Sequence, residues 1–188
     1  MHDLRRAFRV GELLGKHDRR IAGAAAGNLF RCAQGFGASF LFTIGAAYER
    51  RDAPTDTSNA AARLPLYEFA SSEEMRLPEG CQLVGLELLG DAIELPTFCH
   101  PRRAAYVLGP ERGSLSPALV ARCDFVVKIP TSFAINVAVA GAIAMYDRMA
   151  SLRRFAERPL FPGGPLAPLP EHVFGRPIRR RPKTQTHE

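Results

Sequence analysis

Short apolar runs recur along this chain, separated by polar or helix-like stretches. "SFLFTIG", closed by Gly45, is followed by "CQLVGLELL", "AAYVLG" and "DFVVKIP", with "LYEFA" a shorter candidate. Runs of that length, rich in Phe, Val and Ile and bounded by Gly or Pro, read as strands. "GNLFRCAQGFGA" reads as a helix ended by Gly35 and Gly37. "SPALVARC" reads as a short helix, with Ser116 as N-cap and Pro117 in its first turn. "SSEEMRL" reads as another. "FAINVAVAGAIAMYDRMASLRRF" is a long helix, apolar first and basic last, as its dipole favours. "YERRDAPTDTSNAAARLP" reads as a long surface loop. "AFRVGELL" makes a poor strand because of its charges and glycine, and "AGAAAG" carries little signal. Nearly continuous apolar strands alternating with helices predict an α/β fold. Its sheet is open and mostly parallel, with helices on both faces.

The chain has 188 residues, 46% of them hydrophobic, enough for one domain with an ordinary core. Residues 157–188 break the pattern. They hold seven of the 15 prolines and end in "RPIRRRPKTQTHE". The expected organisation is a domain over 1–156, its first 20 residues the hardest to read, and a Pro-rich basic tail over 157–188. Arg176, Arg179, Arg180, Arg181 and Lys183 would form a basic arm suited to phosphate contacts. The net charge of +6 fits a polyanionic partner, nucleic acid above all.

Cys32, Cys81, Cys99 and Cys123 form no C-x-x-C pair, and no histidine spacing completes a zinc site. Free thiols and no metal are expected. The longest apolar stretch, Phe133 to Tyr146, is shorter than the roughly 20 residues of a membrane span, and Asn136 interrupts it. The N-terminal segment has no apolar core of signal-peptide length. A cytoplasmic protein without a membrane partner is expected.

In an open parallel sheet, ligands bind beyond the carboxyl ends of the strands. "AAYVLG" ends at Gly109 and "DFVVKIP" at Pro130, so both deliver loops to one edge. Gly109 would let the backbone approach a ligand, Pro110 would stiffen the loop, and Glu111 would place a carboxylate beside it.

Three stretches together carry a family resemblance. "LGPERGSLS" supplies Gly109-Pro110-Glu111, Gly113 and Leu115-Ser116; "VVKIP" supplies Ile129-Pro130; "INVAVAGAIAMYD" supplies Ile135-Asn136 and Ala140. A fourth, "AAGNLFRCAQGFG", supplies Gly27, Asn28, Arg31 and Gly37. In that order and spacing they resemble the motifs of the SpoU/TrmH-like branch of the SPOUT superfamily, RNA ribose 2'-O-methyltransferases. The resemblance spans about residues 24 to 150. Ala25 stands where the family has Asn, and Ala134 where it has Ser.

The resemblance implies a C-terminal trefoil knot, a feature otherwise almost absent from proteins. It implies S-adenosyl-L-methionine as cofactor, a homodimer, and RNA as partner, tRNA more than rRNA. The cofactor would lie among Leu86, Leu108, Gly109, Pro110, Ile129, Pro130, Ala134 and Ile135. The catalytic residues would be Arg31, Glu111 and Asn136. Arg31 matches a proposed general base, but a guanidinium stays protonated, so an electrostatic role is the more defensible one. Glu111 would fix the knot loops by accepting backbone hydrogen bonds, and Asn136 would tie those loops together. The alternatives are a non-catalytic knotted RNA-binding relative and an rRNA 2'-O-methyltransferase. A dinucleotide oxidoreductase is disfavoured, since no G-x-G-x-x-G follows a strand.

Overall fold

The computed structural model describes residues 8–13, 19–45, 59–110 and 113–155. In chain order these form β1 (Phe8–Leu13), α1 (Arg19–Gly35), β2 (Phe40–Ile44), α2 (Ala60–Arg63), β3 (Leu66–Phe69), β4 (Gln82–Leu86) and β5 (Ile93–Glu94). β6 (Ala104–Leu108), α3 (Pro117–Val120), β7 (Phe125–Lys128) and α4 (Val137–Ser151) follow. Glu111, most of the expected 48–65 loop and the tail over 157–188 lie outside the described residues.

The seven strands make one sheet in the order β3-β2-β1-β6-β4-β7-β5, and every neighbouring pair is parallel. A parallel sheet needs cover on both faces. β6 shows this most clearly, since all five of its residues are buried. Ala104, Tyr106 and Leu108 join Leu29, Phe30, Ala33, Val84, Leu86 and Met145 in a core under α1 and α4. Ala105 and Val107 point the other way, into a second core with Phe42, Met75, Leu83, Leu115 and Leu119 of α3. β2 divides in the same fashion, Leu41 to one core and Phe40, Phe42 and Ile44 to the other. Fully burying a Phe or Leu side chain contributes about 1.5–3 kcal/mol.

The helix ends are chemically specified. Gly37, at φ 79°, lies just past α1. Its N–H reaches Gln34 O at 3.1 Å while Ala38 N–H reaches Ala33 O at 2.9 Å, the paired bonds of a Schellman motif. Ser116 caps α3, its Oγ accepting from Leu119 N–H at 3.3 Å, with Pro117 at the first helical position. Asn136 caps α4, its Oδ1 accepting from Ala138 N–H at 3.0 Å and Val139 N–H at 3.2 Å.

Several expectations change. "AFRVGELL" is a central strand after all, paired to both β2 and β6. α1 begins at Arg19, so the uninformative "AGAAAG" is helical. α4 begins only at Val137, because Asn136 caps it there. β4 stops at Leu86, leaving Glu87–Leu89 outside the strand. "SSEEMRL" forms turns, not a helix. Its Ser72 hydroxyl donates to the Glu73 carboxylate, and Arg76 donates to Met75 O. α2 interrupts the expected long loop, and the two-residue strand β5 was not foreseen.

α4 crosses α1 closely because position 141 is glycine. A Cβ there would collide with the buried Leu29 side chain. The far end of α4 is locked by a buried polar cluster. Arg148, only 4% exposed, donates to Pro101 O and, at 2.8 Å, to Arg102 O. His100, also 4% exposed, contacts Asp147 Oδ2 through Nε2 at 2.9 Å and Tyr106 OH through Nδ1. A carboxylate only accepts, so Nε2 carries the hydrogen and Nδ1 accepts from the tyrosine. Burial pushes the Tyr106 hydroxyl up to about 12. Burial also lowers the His100 pKa; hydrogen bonding and charge at Asp147 oppose this, and Arg148 reinforces it.

Folding therefore favours the neutral form of His100. An unfolded histidine takes up a proton near pH 6.5, and the folded one resists it. The stability of this cluster is complete above that pH and declines as pH falls below it. Urea unfolding between pH 7.5 and 5 should show a steeper acid-side loss in the parent than in His100→Gln. The excess is at most about 1.4 kcal/mol per pH unit. Identical slopes would mean that His100 titrates alike in both states.

Candidate functional site

β4, β6 and β7 run parallel and end at one edge of the sheet, and a cleft opens there. Leu86 ends β4, Leu108 ends β6 with Gly109 and Pro110 beyond it, and Ile129 follows β7. Ala134 and Ile135 precede the cap of α4. All seven line this cleft. Pro130, the eighth expected cofactor residue, lines a neighbouring groove with Ser132, Glu94 and Leu89 instead. Leu86, Leu108 and Gly109 are buried, Pro110, Ile129 and Ile135 half-buried and Ala134 exposed, so the cleft has largely apolar walls.

Gly109 lines the cleft and also packs against the chain's own returning segment. A Cβ built on it would meet Leu115 N at 3.2 Å, Ser114 C at 3.3 Å and Glu87 Oε2 at 3.4 Å. The missing side chain therefore makes room for the chain's own returning loop.

Two charged residues in the cleft went unrecognised in the sequence. Glu87 accepts from Leu88 N–H at 2.9 Å through Oε1 and from Leu115 N–H at 2.7 Å through Oε2. Lys128 donates to Gly90 O at 3.0 Å and Leu89 O at 3.3 Å. In "CQLVGLELL" the glutamate looked like one polar position in an apolar strand. A carboxylate directly after a strand with no polar partner nearby in sequence was the available signal.

Arg31 and Asn136 come together in a second groove, between α1 and α4. Asn28, Cys32, Val139, Ile143 and Tyr146 also line it. Arg31 is exposed, and burial raises the pKa of the neighbouring Cys32 thiol, partly offset by Arg31. The first turn of α4 borders both places: Val137 and Ala140 line the cleft, while Asn136 and Val139 line the groove. Among the described residues no cluster of three or more His, Cys, Asp or Glu suits a metal ion, and no helix is long and apolar enough to cross a membrane.

A model of the SpoU rRNA Methylase family matches residues 24–146, and the chain belongs to that family. No curated protein matches it by sequence. Solved structures share the fold. The SpoU methyltransferase AviRb from Streptomyces viridochromogenes, in complex with the cofactor AdoMet, aligns with a TM-score of 0.65 at 20% identity over 80% of this chain. This chain spans only 62% of the AviRb chain. The A. aeolicus TrmH/SpoU tRNA modifying enzyme aligns at 0.61 and 17% identity, over 80% of this chain and 78% of its own. A structure concerned with 2-OH methylation of C/U34 on tRNA aligns at 0.60 and 22% identity, over 79% of this chain and 98% of its own.

Since the space beside Gly109 is filled by backbone, Gly109→Val should displace the 113–115 return. Overpacking of this kind costs about 1–3 kcal/mol. Urea unfolding should show that loss, with Gly109→Ala losing less. Parent-like stability in the Val variant would mean that the loop yields freely.

Proposed function

We propose that this protein is an S-adenosyl-L-methionine-dependent RNA methyltransferase that methylates a ribose 2'-hydroxyl, and that its substrate is tRNA. The observation that carries the reading is the shared border between two sites. The apolar cleft at the ends of β4, β6 and β7 touches the same helical turn as the groove holding Arg31, Asn28 and Asn136. A donor and an acceptor bound on either side of that turn would be neighbours, which a two-substrate transfer requires.

The cleft chemistry fits the donor. Leu86, Leu108, Ile129 and Ile135 offer apolar walls for a purine face, and the loop backbone beyond the strand ends would read its edge. When bound, S-adenosylmethionine supplies a methyl group on a positively charged sulfur. Arg31 holds the acceptor: its guanidinium cannot serve as a base at ordinary pH, but it grips an RNA phosphate and favours negative charge developing on the ribose oxygen. Asn136 fixes the start of α4 by capping it, and so keeps the border turn in place. Glu111 belongs to this reading as a brace for the loops.

The same reading includes the trefoil knot, a cytoplasmic setting, the basic tail as an RNA-binding arm, and a homodimer. The dimer is supported by α4, where Val139, Ile143 and Tyr146 are 51%, 39% and 47% exposed. Their i, i+4, i+7 spacing makes one apolar stripe along the groove. The tRNA assignment is supported by the near-complete span of the C/U34 structure and by the TrmH/SpoU tRNA modifying enzyme.

Arg31→Ala should lower turnover on unmodified tRNA about a hundredfold or more, with S-adenosylmethionine affinity near the parent's by calorimetry. Full activity would remove Arg31 from catalysis. No transfer by the parent would favour a non-catalytic RNA binder. Ile143→Arg should convert the dimer to monomer in sedimentation, and a parent already monomeric would reject the assembly.

A further inference from the structure

Glu87 occupies the one place where three segments of the cleft wall meet. Its own N–H bonds Val127 O at 3.0 Å, which fixes its backbone to β7. Its carboxylate then takes two amide protons, from Leu88 next to it and from Leu115, 28 residues further on. Leu115 is 5% exposed and anchored in the second core, and Ser116 after it caps α3. Gly109 lies against the same oxygen and the same amide. One side chain thus joins the exit of β4 to the return of the loop that leaves β6.

We propose that Glu87 is the positioning residue of the methyl-donor cleft: by accepting from Leu88 and Leu115 it holds the Gly113–Leu115 return against Gly109 in the arrangement that binds the donor. The inference rests on the function proposed above. It gives Glu87 a loop-bracing task of the kind that the family resemblance implies for Glu111. An ionised carboxylate is suited to the task because it accepts on both oxygens and donates on neither. Glutamine is not, since its NH2 must face one of the two amide donors, and one tie is lost. Aspartate keeps the charge but is one carbon shorter and does not span both amides.

The tie stands at the rim of the sheet, above a core that Leu115 and Leu119 close without it. Loops at strand ends are the segments that open most readily. Water at the cleft mouth can replace the lost acceptor. Losing Glu87 should therefore loosen the wall and leave the fold standing.

The test compares parent, Glu87→Gln and Glu87→Asp. Calorimetry is run with S-adenosylmethionine and with S-adenosylhomocysteine, and steady-state methylation is run on unmodified tRNA. The expected result for Glu87→Gln is a rise of at least tenfold in Kd for both ligands alike and a matching rise in KM for the donor. kcat at saturating donor should stay within about threefold and the melting temperature within about 4 °C. Glu87→Asp should weaken both ligands too, and it decides the matter should the amide variant not fold. A folded Glu87→Gln with parent affinity overturns the proposal. A loss confined to the charged methyl donor overturns it in favour of direct charge contact. Failure of both variants to fold makes Glu87 a fold residue and also overturns it. A parent that binds neither ligand defeats the underlying function as well, which separates that failure from the others.

Discussion

Parallel strands lying side by side all end at one edge, so their chains must leave through the same strip of space. β4, β6 and β7 do this across two strand spacings, roughly 10 Å. The exits would collide if each carried ordinary side chains, and would wander if nothing joined them. Gly109 resolves the first difficulty by leaving a gap that the Ser114–Leu115 backbone fills. Glu87 and Lys128 resolve the second: Glu87 ties its own loop to Leu115, and Lys128 donates to Leu89 O and Gly90 O. The cleft is the volume left between exits packed and tied in this manner. Its shape is therefore a property of the loops' contacts with one another.

α4 relates that edge to the opposite end of the sheet. Its 15 residues span about 22 Å. The first turn borders the cleft and the groove, while Asp147 and Arg148 in the last turns engage His100, Pro101 and Arg102 just before β6 begins. A helix free at one end could tilt when its other end is pressed. Here the far end is held by buried polar bonds from Arg148 to Pro101 O and Arg102 O and from His100 to Asp147. The border turn is presented by a rod that is fixed at its foot.

The strands β2, β4 and β6 were legible because burial on both faces leaves each a dense apolar run, and the half-buried β7 keeps such a run in Phe125–Val127. β1 was not, since "FRVGEL" breaks that run with Arg9, Gly11 and Glu12, and only its pairing with two neighbours identifies it. The first turns of α1 were hidden because alanine and glycine carry no apolar period. The motif residues fell at the strand ends where the parallel-sheet rule places them, and seven of the eight expected cleft residues share one cavity. What could not be read was pairing across distance. Glu87 with Leu115, and His100 with Asp147 at a separation of 47 residues, follow only from the folded path of the chain.

Leu29 meets Gly141 two residues from Arg31 on one helix and five from Asn136 on the other. The close approach of α1 and α4 at this point, beside the groove that Arg31 and Asn136 share, depends on the absence of a side chain at position 141. A methyl group at position 141 would act as a wedge, spreading the two residues without touching either. A hydrogen atom in place of a side chain thus lets the floor beneath that groove close.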